Sequence, residues 1–240
     1  MHLLDIHSHI LPAVDDGARD VKTSIELLKM MKKQGITDVI ATPHFDASIH
    51  NIDDFYSVVK SAKEELDREK SGLDLPDVLI GSEVFYFRGI GKSYGIKSLS
   101  LANSNYLLLE LQNAPIDDFV IKDINGMVYD LGLTPIFAHI ERYAGEKGFK
   151  RLLELISYGV CYAQVNSASL IEPPFKRTVY KLIKKGYISF IATDSHSLLQ
   201  RPPMMDKALE EIGREFGSKT VNTFVENSDV LYNKIINSQV

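Results

Sequence analysis

The stretch DDFVIKDINGMVYDLGLTPIFAHIERY, Asp117–Tyr143, carries the unit from which this chain is built. Its first part, Asp117–Gly132, predicts a helix closed by a glycine, the residue that takes up the left-handed conformation past a helix C-terminus at little cost. Thr134–Ile140 follows as a short apolar run of strand length. His139, Glu141 and Arg142 then gather where that run ends. The order is helix, glycine, buried strand, and then ionisable side chains.

The same order extends in both directions. Further strands are expected at Leu3–His9, Asp38–His44, Asp77–Phe85, Tyr106–Gln112, Cys161–Ser167 and Ile188–Ser195. Helical patterns lie at Val21–Gln34, Ile52–Lys70, Gly148–Tyr158 and Phe175–Lys185. In the first of these, Val21, Ile25, Leu28 and Met31 form an apolar stripe, and Thr23 with Glu26 has capping-box spacing. Gly35, Gly159 and Gly186 close helices as Gly132 does. Strands that are apolar along most of their length are covered on both faces. Their alternation with helices predicts a parallel sheet joined by right-handed crossovers. The expected fold is therefore α/β, with about seven βα units nearly closing a barrel. Arg88–Asn105 breaks the rhythm and is expected to be an irregular crossover loop near the site; Pro203–Val240 reads as two or three outer helices.

The whole chain sets broad limits. Its 240 residues fit one domain spanning 1–240, with no internal repeat or linker. A formal net charge of −5, from 27 Lys and Arg against 32 Asp and Glu, argues against a nucleic-acid partner. Met1–Pro12 lacks the basic start of a signal peptide, and no run of 18 apolar residues suggests a membrane span. The lone Cys161 fits a reducing compartment, so the expected location is cytoplasmic, with no direct membrane insertion.

The chemistry lies at the strand ends, which form the active-site face of parallel α/β folds. His7, His9, His44, His139 and His196 fall there, five of the seven histidines, alongside Asp15, Asp16, Glu83, Glu110 and Asp194. His7 and His9 are two apart on one strand, so both can face one ion. A donor set of imidazole and carboxylate without thiolate suits Mn, Fe or Zn in a mixed site, not structural zinc. His2 and His50 lie outside the pattern and read as surface residues. Rival nucleophile schemes lack their parts. Cys161 has no arginine-bearing phosphate loop after it, there is no GxSxG elbow, and no GxxxxGK[ST] loop.

The motifs Asp5-Ile6-His7-Ser8-His9, Asp15-Asp16-Gly17, Ala41-Thr42-Pro43-His44, Gly81-Ser82-Glu83, Ala138-His139-Ile140-Glu141-Arg142-Tyr143 and Thr193-Asp194-Ser195-His196 together resemble the polymerase-and-histidinol-phosphatase (PHP) superfamily. Within it they look like the bacterial manganese-dependent protein-tyrosine phosphatases of the CpsB/YwqE type, from Asp5 to about Pro203. That resemblance implies a distorted (β/α)7 TIM-like barrel holding three divalent ions, manganese first, with Fe or Zn as alternatives. One ion would take His7, His9, Glu83 and Asp194; a second would share Glu83 and add Glu110 and His139; a third would take Asp16, His44 and His196. Arg142 and Arg201 would bind the substrate phosphate. The implied partner is a tyrosine-phosphorylated protein, the tail of a bacterial tyrosine kinase in capsule or exopolysaccharide control. Two rival readings remain at this level: a histidinol-phosphatase-like small-molecule phosphatase and a non-catalytic metal-binding module. Glu141 and Tyr143 serve either to support the ligands or to pack.

Overall fold

A computed structural model describes residues 2–111 and 115–237. In chain order the strands are β1 (Leu4–Ser8), β2 (Asp38–Ala41), β3 (His44–Phe45), β4 (Asp77–Ile80), β5 (Glu83–Phe85), β6 (Tyr106–Glu110), β7 (Thr134–Phe137), β8 (Tyr162–Asn166) and β9 (Phe190–Ala192). The helices are α1 (Val21–Lys33), α2 (Ile52–Lys70), α3 (Asp118–Asn125), α4 (Phe149–Ser157), α5 (Lys176–Lys184), α6 (Met205–Phe216) and α7 (Ser218–Asn237). Every strand pairing is parallel, as the helix–strand alternation predicts.

Two expected strands are each split. Asp38–His44 breaks at Thr42-Pro43, because proline has no N–H to give the ladder. Asp77–Phe85 breaks beside it at Gly81-Ser82, so β1-β2-β4 forms one ladder and β3-β5-β6-β7-β8-β9 another. Gly81 N–H to Ala41 O and Glu83 N–H to Pro43 O carry the pairing across the break. The resulting sheet curls until its first and last strands meet. There Ser8 bridges Ser195, His9 N–H donates to Ser195 O at 2.9 Å, and Asp194 N–H donates to His7 O at 2.8 Å.

The period of two along each strand sorts the core into two layers. Val39, Leu107, Leu109, Phe137, Val165 and Ile191 pack outward against Leu28, Leu152 and Val179 of the helices. Ile40, Leu108, Ile136, Ala138, Phe190 and Ala192 face the concave side, where Leu101 and α7 residues Leu231 and Ile235 cover them. α7 is also tied to β1: Leu4 N–H donates to Ser228 Oγ at 2.6 Å, and Ser228 Oγ donates to Leu4 O at 3.2 Å. Followed toward the strand C-termini, the concave parity changes chemistry. Tyr106 and Leu108 lead to Glu110, and Tyr162 leads to Gln164 and Asn166.

Four local expectations are corrected. α1 is capped by Asp20, which accepts Thr23 N–H at 2.7 Å; Glu26 instead pairs with Lys29. The helix expected over Asp117–Gly132 is α3 followed by one wider turn, with Leu131 N–H donating to Gly126 O at 3.0 Å. Arg88–Asn105 is a crossover of short 3-10 turns that buries Ile90, Ile96, Leu99 and Leu101; it packs on α2, α3 and the concave core and does not serve the site. His2 is half-buried against Asp38 and stacked on Tyr232, and His50 is half-buried beside Phe45 and Phe55. The last position of the expected Tyr106–Gln112 strand and the last three of the Pro203–Val240 tail lie outside the described residues.

The wider turn after α3 has a physical cause. A Cβ on Gly91 would sit 2.4 Å from Asp123 O, and one on Gly126 would sit 2.7 Å from Gly91 O. Two backbones therefore touch where only glycine fits. Gly91→Ala is expected to destabilise the fold by about 1–3 kcal/mol, the usual cost of overpacking, read as a lower urea midpoint at unchanged slope.

Candidate metal centre

The C-terminal ends of β1, β6, β7 and β9 and the first residues of β3 and β5 come together around Glu83. Its Oε2 lies 2.9 Å from His44 Nδ1, 3.2 Å from His7 Nε2 and 3.4 Å from His9 Nε2. Its Oε1 accepts from His139 Nε2 at 2.9 Å, and His139 Nε2 is 3.5 Å from Glu110 Oε1. Asp194 Oδ1 lies 3.3 Å from His7 Nε2 and 3.5 Å from His9 Nε2. Asp16 Oδ1, from the loop after β1, stands 3.4 Å from both His44 Nε2 and His196 Nε2. All nine residues singled out as ligands thus share one cluster.

Among the described residues, three donor groups lie close enough for an ion: His9, Asp16, His44 and His196; His7, His9 and Asp194; and His44, Glu83 and Glu110. The grouping differs in detail from the one the resemblance implies. His9 and His44 each stand between groups, and Glu83 is the hub in either description.

The donor chemistry fits a divalent cation. Glu83 Oε2 is buried, ringed by three imidazole nitrogens, and makes no hydrogen bond; His196 Nε2 is buried and equally unpartnered. The far nitrogens of the rings are occupied. His9 Nδ1 is 2.6 Å from Asp15 Oδ2, His7 Nδ1 is 3.2 Å from Gln164 Oε1, and His196 Nδ1 is 3.0 Å from Asp194 O. Such outer bonds place the proton on Nδ1 and turn the Nε2 lone pair inward, as in histidine metal ligands generally.

Electrostatics point the same way. Burial alone pushes Glu83 up, but the charge of His7, the hydrogen bond from His139 and the nearby ring of His44 outweigh it and hold the carboxyl well below its ordinary value. Asp194 is likewise held down despite burial, by His7 and His9. Glu110 is pushed up to about 7 by burial and then by Glu83. Burial and the charge of His9 push His196 down to about 4. His9 itself is raised well above its usual value because Asp15, Asp194 and Glu83 together overcome burial. The cluster draws positive charge, which protons or a metal ion can supply.

Arg142 Nη2 and Arg201 Nη2 both reach Asp194 Oδ2, at 3.1 and 2.7 Å, on the solvent side of the cluster. Tyr143, left open above, has its hydroxyl 3.1 Å from His139 Nδ1 and accepts Leu111 N–H, so it supports a candidate ligand. Glu141 Oε1 accepts Asn166 N–H at 3.1 Å. Asp5 and Asp15 stand in the sequence motifs with no role attached to them. Asp5 accepts from Thr193 N and Oγ1, which anchors the segment leading into Asp194. Gln164 and Asn166 were missed altogether; their signal was a pair of amides at i and i+2 in an otherwise apolar strand. His139 and Asp194 have φ of 31° and 50°. Left-handed backbone at non-glycine residues costs about 1–3 kcal/mol each and gathers at functional sites.

A model of the family described as capsular polysaccharide synthesis, CpsB/CapC, matches residues 3–233. The chain belongs to the CpsB/CapC family. Tyrosine-protein phosphatase CpsB of Streptococcus pneumoniae is 33% identical over 242 residues, covering 94% of this chain and 96% of that protein. Tyrosine-protein phosphatase YwqE of Bacillus subtilis is 32% identical over 238 residues, covering 95% and 91%. A solved structure reported for YwqE of B. subtilis and CpsB of S. pneumoniae, unique metal-dependent tyrosine phosphatases, superposes with a TM-score of 0.81 at 27% identity, over 97% of this chain and 95% of that one. A β-aspartyl dipeptidase of Fervidobacterium islandicum, 13% identical with a TM-score of 0.56, shares the fold alone.

Two measurements follow for this family member. Because His7 and His9 are raised, protons compete with metal, and ligation requires their loss. Mn²⁺ titrated into metal-stripped protein is expected to release protons, with affinity falling as pH drops from 7.5 to 5.5; calorimetry in buffers of different ionisation enthalpy reads both. Cys161 is buried, and burial pushes its thiol up to about 12. That leaves roughly one thiolate in ten thousand at pH 8, so an aromatic disulfide reagent is expected to label Cys161 only after unfolding, with phosphatase activity unaffected beforehand.

Proposed function

We propose that this chain is a metal-dependent protein-tyrosine phosphatase, acting on the phosphorylated tail of a bacterial tyrosine kinase in capsule or exopolysaccharide control. The observation that carries the proposal is the gathering of nine imidazole and carboxylate residues into one cluster with Glu83 at its hub, and two arginines on the solvent side. In this reading residues 1–240 form one domain, the curled sheet is the distorted seven-stranded barrel, and the protein works in the cytoplasm. No helix among the described residues is long and apolar enough to cross a membrane.

His7, His9, Glu83 and Asp194, then Glu110 and His139 with shared Glu83, then Asp16, His44 and His196 would hold three divalent ions, manganese first and Fe or Zn as alternatives. Bound there, such ions act as Lewis acids toward phosphoryl oxygen and lower the pKa of water. The chain's own part is to bind and orient. Arg142 and Arg201 are about one-third and two-fifths exposed, so their guanidiniums reach both Asp194 and an incoming phosphate. Planar guanidinium forks match phosphoryl oxygens and neutralise the charge that develops on them. Beside them, a cavity of about 330 Å³ lined by Arg142, Pro174, Phe175, Leu199 and Arg201 is large enough for an aryl ring. A tyrosyl oxygen leaves as a phenoxide whose acid has a pKa of about 10. Such a leaving group departs without a dedicated general acid, and the reading assigns none.

The test is turnover of a phosphotyrosine peptide before chelation, after it, and after Mn²⁺ return, beside histidinol phosphate. Activity is expected to vanish with chelation, return with Mn²⁺, and favour the peptide. Arg142→Ala and His139→Ala are each expected to lose about 100-fold or more in kcat/KM. Unchanged turnover in both variants refutes the mechanism, and a preference for histidinol phosphate refutes the substrate class.

A further inference from the structure

β8 supplies none of the nine candidate ligands, yet two of its side chains touch three of them. Gln164 and Asn166 are buried amides on the concave face. The direction of their hydrogen bonds can be read without choosing an orientation for either amide.

The starting point is a group that can only donate. His139 N–H lies 2.8 Å from the Gln164 side chain, so the atom facing it is the accepting Oε1. The same oxygen is 3.2 Å from His7 Nδ1, which must therefore carry a proton, so that the neutral ring presents its Nε2 lone pair toward Glu83 and Asp194. Gln164 Nε2 is then the donor to Asn166, 2.8 Å away, which fixes Asn166 Oδ1 as acceptor. Asn166 Nδ2 remains, and it donates to Asp194 Oδ2 at 2.6 Å. That oxygen also receives Arg142 and Arg201, while Oδ1 faces His7 and His9. One backbone N–H thus sets the polarity of every link from β7 through β8 to β9.

We propose that Gln164 and Asn166 are positioning residues of the metal centre. They fix the ligating tautomer of His7 and divide the Asp194 carboxylate, giving one oxygen to the ligand cluster and the other to the phosphate-binding arginines. The proposal rests on the metallophosphatase reading. It also explains why both residues are amides. A carboxylate at 164 could accept from His139 and His7 but could not donate to Asn166. A carboxylate at 166 would set a second negative group against Asp194 Oδ2.

Mn²⁺ titration of metal-stripped protein by calorimetry, thermal midpoints, and kcat and KM on a phosphotyrosine peptide test it together. Gln164→Met and Asn166→Leu keep the volume and remove the bonds; each is expected to weaken Mn²⁺ binding by about 10–100-fold. The near-isosteric Gln164→Glu keeps the bonds to His7 and His139. It is expected to hold Mn²⁺ more tightly than Gln164→Met while raising KM as the arginines lose their anchor. It also keeps the proposal testable if the apolar variants do not fold. Wild-type Mn²⁺ affinity and kinetics in all folded variants overturn the proposal, as does a lower melting temperature with unchanged Mn²⁺ affinity, which marks mere packing. Wild-type protein that binds no Mn²⁺ overturns the metallophosphatase reading and takes the proposal with it. Mn²⁺-binding wild type with unaltered variants overturns the proposal alone.

Discussion

A carboxylate buried among imidazoles is the constraint on which the rest of this structure depends. Glu83 is almost fully buried, and one of its oxygens faces three ring nitrogens without a hydrogen bond. Moving an ion out of water costs several kcal/mol even after relaxation, so a chain retains such a group only where compensating charge arrives. The strand ends are arranged around that demand. β3 and β5 restart after their breaks so that His44 and Glu83 stand in register as partners, and just past the ends of β7 and β9 the left-handed residues His139 and Asp194 turn a donor inward.

The apolar part of the fold makes the arrangement affordable by keeping packing and chemistry at opposite ends of one surface. Along β6, β8 and β9 the concave parity is hydrocarbon near the start and ionisable or amide at or just past the end. The helices never need to enter the site; α1 to α5 cover the convex layer and return the chain to the next strand, while α7 closes the concave core. Donors separated by almost the whole sequence, such as His9 and His196, become neighbours because the first and last strands meet.

Much of this was legible in the amino-acid order, for physical reasons. Strands covered on both faces must be apolar runs, and ionisable residues at the ends of such runs stand out. The helix-closing glycines Gly35, Gly132, Gly159 and Gly186 all take positive φ, between 68° and 84°. What escaped depends on long-range contact or on chemically quiet side chains. The turn after α3 is set by Gly91, more than thirty positions earlier in the chain. Asp20 outcompetes Thr23 as a cap because only its carboxylate reaches the free N–H. Asp15 and Asp16 are adjacent and identical in type, yet one braces His9 from behind while the other faces His44 and His196. Gln164 and Asn166 carry no charge and look like ordinary polar positions until the network through them is traced.

The bond between Ser228 and Leu4 reaches beyond the resting structure. The concave core is covered by Leu231 and Ile235 of the final helix, and β1 gives its first backbone N–H to that helix. A nascent chain emerging from a ribosome therefore has both edges of its curled sheet before it has the helix that seals the sheet's underside. The strand made first therefore waits for a helix made after every candidate ligand, so the concave core is sealed later than the last ligand, His196, is added.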